Sequence, residues 1–382
     1  MKKLIMINAL LLIVGITVLP ATARAATLLE IYQQALQSDP LIHEAEARRL
    51  AALEAKPQAR GVLLPQINAA GTWETNDTVG SQFNVALNRD LDIEQESDDM
   101  FWGVTLRQTL FRWDQVVGLK QADKTVAKAE AVREAAQQDL IIRVAQRYFD
   151  VLAAEDRLRS IHADRQAIAR RLEQAKQRFE VGLSAITDVQ ESQAAYDQSI
   201  ADEISAKRTL ATARELLREI TGEYVSNLSA PKEDFPLRNP EPNSERDWVD
   251  LSLNQNLDLV ASRLDEKLAR EQIALRRTGH YPTLDLEVST GGQKAEGRGT
   301  TVGLPPDPND PVAARSNSDF ERDSVRLQFN MPLFSGGGTS SRVREAVYLH
   351  RASLEQLQRV TRETDREARD AYIGVLSEMS RV

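Results

Sequence analysis

The chain has 382 residues, 48 Lys+Arg against 57 Asp+Glu, four His and no Cys, for a net charge of −9. Its 42% hydrophobic and 27% charged content is that of a folded chain and excludes wholesale disorder. Lack of Cys excludes disulfides, thiolate metal sites, cysteine nucleophiles and a lipid on an N-terminal Cys, and the acidic balance excludes nucleic acid as a charge-driven partner.

In chain order the first element is an export signal over residues 1–25. Lys2 and Lys3 precede an apolar run from Leu4 to Leu19, and Ala23-Arg24-Ala25 supplies small residues for cleavage before Ala26. Losing Lys2, Lys3 and Arg24 takes the net charge to −12. No later stretch approaches the ~18 consecutive apolar residues of a membrane helix.

The chain then repeats itself. An offset of 217 aligns Leu36 with Leu253, Ala52 with Ala269, Arg60 with Arg277 and Pro65 with Pro282, and an offset of 223 brings Leu110-Phe111 onto Leu333-Phe334. Sparse matches that keep order and register predict an internal duplication. In the first half Asp39 is expected to cap a helix with Pro40 at its first position, running to Arg60 with a kink or end near Pro57. In the second half Asn256 is expected to cap a helix to Arg277.

Each helix is followed by two alternating segments of about ten residues. Ile67, Ala69, Gly71 and Trp73, then Met100, Trp102, Val104 and Leu106, mark a hairpin at 66–110. Leu284, Leu286, Val288 and Thr290, then Val325, Leu327, Phe329 and Met331, mark a second at 283–334. Their connections, 76–98 and 291–320, read as long polar loops. The pattern fits barrel strands in a membrane, and a soluble sheet with one face on a core shows the same alternation. Four strands do not close a barrel, for which about eight is the usual minimum, so a membrane reading requires several chains. Trp73, Phe101 and Trp102 are candidate membrane-interface aromatics, with barrel filling as the alternative.

From Leu119 to Val181 the chain contains neither Gly nor Pro, and after Gly182 the same holds to Thr221. At ~1.5 Å per residue the first stretch extends roughly 95 Å as a helix, more than a globule needs. Ile141, Val144, Tyr148 and Val151, then Ile168, Leu172, Ala175 and Phe179, recur at heptad-like spacing. A coiled-coil hairpin over 113–221 bent at Gly182 and one stave of a larger helical cylinder both fit. Thr187-x-x-Gln190 matches a capping box for the returning helix. A proline-rich connector, 223–247, leads to the second half, 248–382. Ser335-Gly336-Gly337-Gly338-Thr339-Ser340 lacks the Lys of a nucleotide loop and reads as a strand-to-helix bend.

The stretch RFEVGLSAITDVQ from Arg178 to Gln190, together with Ala35 to Pro40, Leu64-Pro65-Gln66 and Met331 to Gly337, resembles the TolC family of outer-membrane efflux and type I secretion channels. The likeness covers residues 26–382. It implies a mainly α fold with β: a long α-helical hairpin barrel plus four membrane β-strands per protomer, in an internally duplicated chain of which 26–222 is the first repeat. It further implies a homotrimer in outer-membrane lipid with its helices in the periplasm, working as a passive duct. A periplasmic adaptor (membrane fusion protein) and an inner-membrane pump would be its partners, with no catalytic residues and no cofactor. By the same resemblance Val181, Gly182 and Leu183 meet the adaptor, and Thr187 and Asp188 latch a periplasmic gate. The alternative function is a periplasmic coiled-coil adaptor or scaffold, which has no need of two matched hairpins. A secreted hydrolase finds no convergent nucleophile and base. Only 48 residues follow Phe334, against 111 from Phe111 to Gly222, so the chain is expected to stop inside its second long hairpin, as a fragment or a prematurely ended product.

Overall fold

A computed structural model describes residues 25–231, 236, 238–302, 304 and 309–381; the expected export signal, except Ala25, lies outside them. The chain divides into two compact units that cut across the repeats. One takes residues up to Glu44 and Ala136–Leu237, the other Ala45–Ala135 and Arg238–Val382.

In the first unit, α1 (Leu28–Ser38) opens with a capping box. The Thr27 hydroxyl accepts the Glu30 amide at 3.3 Å, and the Glu30 carboxylate accepts the Thr27 amide at 2.7 Å. Two long helices dominate this unit: α4 (Trp113–Glu180), of which residues from Ala136 onward belong here, and α5 (Ile186–Thr221). Leu140, Val144, Tyr148 and Val151 of α4 pack with Leu210, Ala213, Leu217 and Ile220 of α5 and with Ile31 and Ala35 of α1. The heptad expectation is off by one residue at its start. Leu140 is buried and Ile141 is 52% exposed: both fit heptad spacing, four and three residues before Val144, and the packing against α5 and α1 takes the former. Gly222 ends α5 at φ 74°, and its amide reaches the Arg218 carbonyl at 2.8 Å.

The start of the described chain is stitched to the connector. The Ala26 amide donates to the Asn227 carbonyl at 2.9 Å, and the Ser229 amide donates back to the Ala26 carbonyl at 2.9 Å. The Tyr148 hydroxyl faces the Ser229 carbonyl at 2.6 Å and the Ala26 carbonyl at 3.1 Å, and its single proton goes to the nearer. Burial pushes this phenol above its ordinary range. Asp39 joins three elements. Its amide closes α1 on the Ala35 carbonyl, its carboxylate caps α2 (Pro40–Leu53) at the Ile42 amide, and Arg143 of α4 grips both carboxylate oxygens at 2.8 and 3.3 Å.

In the second unit the first-half helix breaks earlier than Pro57. Helix α2 ends at Leu53, and α3 (Ala55–Gly61) carries Pro57 in its first turn. Leu53 is four residues before Pro57, the carbonyl with which a proline ring collides. Asn256 caps α7 (Leu257–Arg277) as expected, its side chain accepting the Leu259 amide at 2.8 Å. Two helices arise that the sequence reading does not anticipate: α1, and α6 (Glu245–Gln255), which begins inside the expected connector. Lys124 and Lys128 of α4 reach Glu271 and Asp265 of α7 at 3.0 and 2.7 Å. On the other side of α7, Glu266 meets His350 of α8 (Gly338–Arg381) at 2.7 Å. The glycine run before α8 is a bend, with Gly336 and Gly337 at φ 60° and 78°.

The four strands form one antiparallel sheet in the order β1 (Gln66–Asn84), β2 (Arg89–Phe111), β3 (Thr283–Val302) and β4 (Val312–Asn330). Each is about twice the expected ten residues. The segments read as loops at 76–98 and 291–320 are mostly strand, because a charged residue does not stop backbone pairing where water solvates both faces. Residues 303 and 305–308 of the second connection lie outside the described ones. The duplication is visible in the registers. Ile67 pairs with Leu106 in the first hairpin, and their counterparts at offsets 217 and 223, Leu284 and Phe329, pair in the second.

Asp39→Ala is expected to lower unfolding stability by roughly 2 kcal/mol or more, from a lost cap and lost charge-assisted hydrogen bonds. Denaturant titration followed by circular dichroism in detergent measures it. Adding Arg143→Met should cost little beyond its exposed i, i+4 pair with Asp139, since the contact to Asp39 is already gone.

Candidate functional site

The turn between α4 and α5 is built by backbone alone. The Leu183 amide reaches the Arg178 carbonyl at 2.8 Å and the Gly182 amide reaches the Phe179 carbonyl at 2.9 Å, with Gly182 at φ 77°. These two bonds make a Schellman motif around a left-handed glycine. The hydrophobic contact that often accompanies the motif is absent, since Arg178 stands where Leu183 would find an apolar partner. Leu183 is 78% and Val181 68% exposed, and Phe179 and Ile186 beside them are also exposed. An apolar patch that the turn does not need therefore faces outward at Val181, Gly182 and Leu183.

Thr187 and Asp188 lie inside the first turn of α5. The N-cap is Ala185, which has no side-chain cap, so the capping box expected from Thr187 and Gln190 does not form. The register is wrong for it: a capping threonine must precede the helix, and Thr187 is its second residue. Both side chains are exposed.

Further along the hairpin, Glu203 of α5 is almost fully buried and meets two cations and a histidine ring. Lys207 lies at 2.8 Å, Arg165 at 2.8 Å and the His162 ring at 3.5 Å, the last two from α4. The hydrogen-bonded Lys207 ammonium holds the Glu203 carboxyl below the usual carboxylate range against the opposing effect of burial, and Arg165 and His162 add to it. Arg214 and Glu155, 2.8 Å apart, form a second clasp between the helices.

The sheet has two unlike faces. Ile67, Leu106, Val288 and Val325 stand side by side across all four strands on one face, and the next row on the other face is Gln66, Arg107, Glu287 and Arg326. In that polar row Arg107 binds Glu287 at 3.0 Å and Arg326 approaches it at 3.6 Å. Trp73 and Trp102 belong to the apolar face, near one another through the pairs Trp73–Met100 and Gly71–Trp102. Phe101 does not share their position. Alternation puts it on the opposite face, paired with Thr72 and Gln293, and its ring folds over Gly103. The Trp102 indole lies over Gly292, so close that a Cβ there would come within 2.6 Å of its Nε1. The apolar face is uncovered: Ile67, Trp73, Val325, Leu327 and Phe329 are all more than 60% exposed. Among the described residues nothing pairs with the outer edges of β1 and β4. None of the described helices is long and apolar enough to cross a membrane.

Sequence reasoning found the turn and the alternation but not Glu203, because a lone glutamate on a charged helix carries no signal. Its only trace is the i, i+4 spacing to Lys207.

Known proteins resemble this chain in sequence and in fold. The outer membrane efflux protein family model matches residues 31–223 and 248–381. The chain is 34% identical to the outer membrane protein TolC of Vibrio cholerae, over 98% of this chain and 81% of that one. It is 33% identical to TolC of Escherichia coli, over 100% and 74%. With the alkaline protease secretion protein AprF of Pseudomonas aeruginosa it shares 26% identity, over 92% and 70%. Among solved structures, the Campylobacter jejuni CmeC outer membrane channel superposes with a TM-score of 0.67 at 16% identity, over 90% of this chain and 70% of that one.

The depressed Glu203 carboxyl sets the sign of a pH effect. Its stabilising contribution is fully present above the ordinary glutamate pKa of about 4.3 and is lost as pH falls through the lower folded value. Acid titration of wild type against Glu203→Gln, followed by helix content, should show the two curves converging below that range and separating above it. Gly292→Val should displace Trp102, seen as a shift in tryptophan emission.

Proposed function

Since the chain belongs to the outer membrane efflux protein family, we propose that it works as the passive exit duct of an efflux pump or type I secretion system, assembled as a homotrimer. It is an outer-membrane exit channel. The observation that carries the finer reading is the pair of open edges, 19 residues each, flanking a sheet whose apolar face is uncovered. Backbone N–H and C=O groups in hydrocarbon must all be paired, so the sheet enters a membrane only when other copies close it. Two copies give eight strands, about the number whose interior side chains fill, whereas three give twelve and leave a lumen. On this reading Trp73 and Trp102 face lipid as interface anchors, and Phe101 faces the lumen.

The outward apolar residues Val181 and Leu183 support the turn as the place where a periplasmic adaptor docks. Thr187 and Asp188, exposed and not used as caps, are available to latch a neighbouring hairpin as a gate. The duct itself does no chemistry and draws its energy from an inner-membrane pump. Likeness to proteins named for protease secretion as well as to TolC supports a cargo chosen by the pump, small molecule or polypeptide.

Light scattering in detergent is expected to give three copies; a monodisperse monomer contradicts the assembly. Leu183→Asp is expected to abolish export in cells lacking their own channel while outer-membrane insertion persists, because 68 residues of helix separate the turn from the strands in sequence. Gly182→Pro should do the same, since proline holds φ near −65° where +77° is required. Wild-type export from Leu183→Asp would leave the patch as a turn and nothing more.

A further inference from the structure

We propose the register in which β4 of one copy pairs with β1 of the next: Trp73 opposite Leu327, Glu74 opposite Arg326 and Gly71 opposite Phe329. This rests on the assembly proposed above and adds what that reading leaves open, which residues meet at the seam.

The register follows from the duplication. Within the chain, β2 of the first repeat pairs with β3 of the second, for example Leu106 with Val288 and Trp102 with Gly292. If each copy hands on to the next as its first half hands on to its second, the same junction recurs between β4 and β1. Shifting β2 by 223 and β3 by −217 turns Leu106–Val288 into Phe329–Gly71. The same two offsets already relate the hairpin registers, as Ile67–Leu106 and Leu284–Phe329 show. Parity is kept, so the apolar faces of the two copies are continuous. The transferred ladder ends naturally. Thr109, where the β2–β3 register slips, corresponds to Pro332, which has no N–H to offer.

Two features that played no part in the shift agree with it. Strand β1 contains two glycines, Gly71 and Gly80, and β4 contains two phenylalanines, Phe329 and Phe320. This one register sets both phenylalanines opposite both glycines, Phe329 on the apolar face and Phe320 on the other. Both rings are more than 60% exposed, and no side chain lies within 4 Å of a Cβ position at either glycine. Trp102 over Gly292 shows the same aromatic-on-glycine arrangement at the junction inside the chain. Charge agrees as well. Glu74 pairs across β1–β2 with Asp99, a like-charge neighbour. The proposed seam brings it Arg326, whose side chain is 64% exposed. The seam also sets Asp77 opposite Asp323, a like pair of the kind already present within the chain as Asp77–Glu96.

The natural absence of Cys makes the test clean. Directly opposed Cβ atoms lie about 4.5–5.5 Å apart and those two residues out of register about 7–8 Å, against a disulfide reach of about 3.5–4.5 Å. Full-length protein in outer membranes carrying Thr72→Cys with Gln328→Cys, or Asn76→Cys with Ser324→Cys, is treated with a mild oxidant or a short thiol cross-linker. Covalent oligomers are expected from both pairs. Thr72→Cys with Arg326→Cys, and Thr72→Cys with Asn330→Cys, should stay at monomer size on a denaturing gel. Preferential linkage through either offset pair overturns the register, as does linkage of Thr72→Cys alone, which would mean β1 meeting β1. Light scattering of the same samples separates the two readings. Oligomers that link through neither in-register pair overturn the register alone, whereas monomers throughout overturn the assembly and the register with it.

Discussion

A sheet in hydrocarbon has no edge that it can leave unpaired, and most of this structure answers to that constraint. Four strands of 19 to 23 residues pair fully with one another and leave two long edges. In water such edges invite aggregation and are blunted by bulges or prolines. Here each edge runs for 19 residues, and the row Ile67, Leu106, Val288 and Val325 is apolar across all four strands. The chain has kept an arrangement that is unsuited to a solitary soluble life and suited to closure by symmetry.

The helical part solves a different problem by restraint in composition. Across α4 the charged residues are many, and Leu140, Val144, Tyr148, Val151 and Ala154 form a buried stripe with partners on α5 and α1. Ile141, Ile142 and Phe149 stand outside that stripe and remain exposed. The helices are joined by a few polar contacts, Asp39 with Arg143, Glu155 with Arg214, and Glu203 with Arg165, Lys207 and the His162 ring. Such contacts fix register along smooth helices, where apolar packing alone permits sliding.

What the sequence disclosed and what it hid follow from the range of each interaction. Asn256, Gly182 and the alternation from Leu284 to Thr290 act on neighbours a few residues away, and those readings hold. Pro57 was legible in kind but acted four residues upstream, at Leu53, because a ring collides with a distant turn. Strand length escaped because polarity in β1 and β2 marks the solvent and not the end of pairing. Thr187 misled because a capping pattern is common, and only the true start of the helix decides which residue uses it. Adjacency in sequence groups Phe101 with Trp102, although adjacent residues in a strand face opposite ways. The Glu203 cluster is assembled from two helices, so no local window contains it.

The two hairpins differ in one more respect. Between Asn84 and Arg89 lie four residues, and between their counterparts Thr301 and Val312 lie ten. The six-residue difference between the repeats falls between these two paired ends, where only Val302, the last residue of β3, belongs to a strand. A strand tolerates no odd change, since one added residue turns every later side chain to the other face. The hairpin ends are therefore the places where a lineage can lengthen, shorten or rewrite the chain freely, and divergence between the halves has been channelled there.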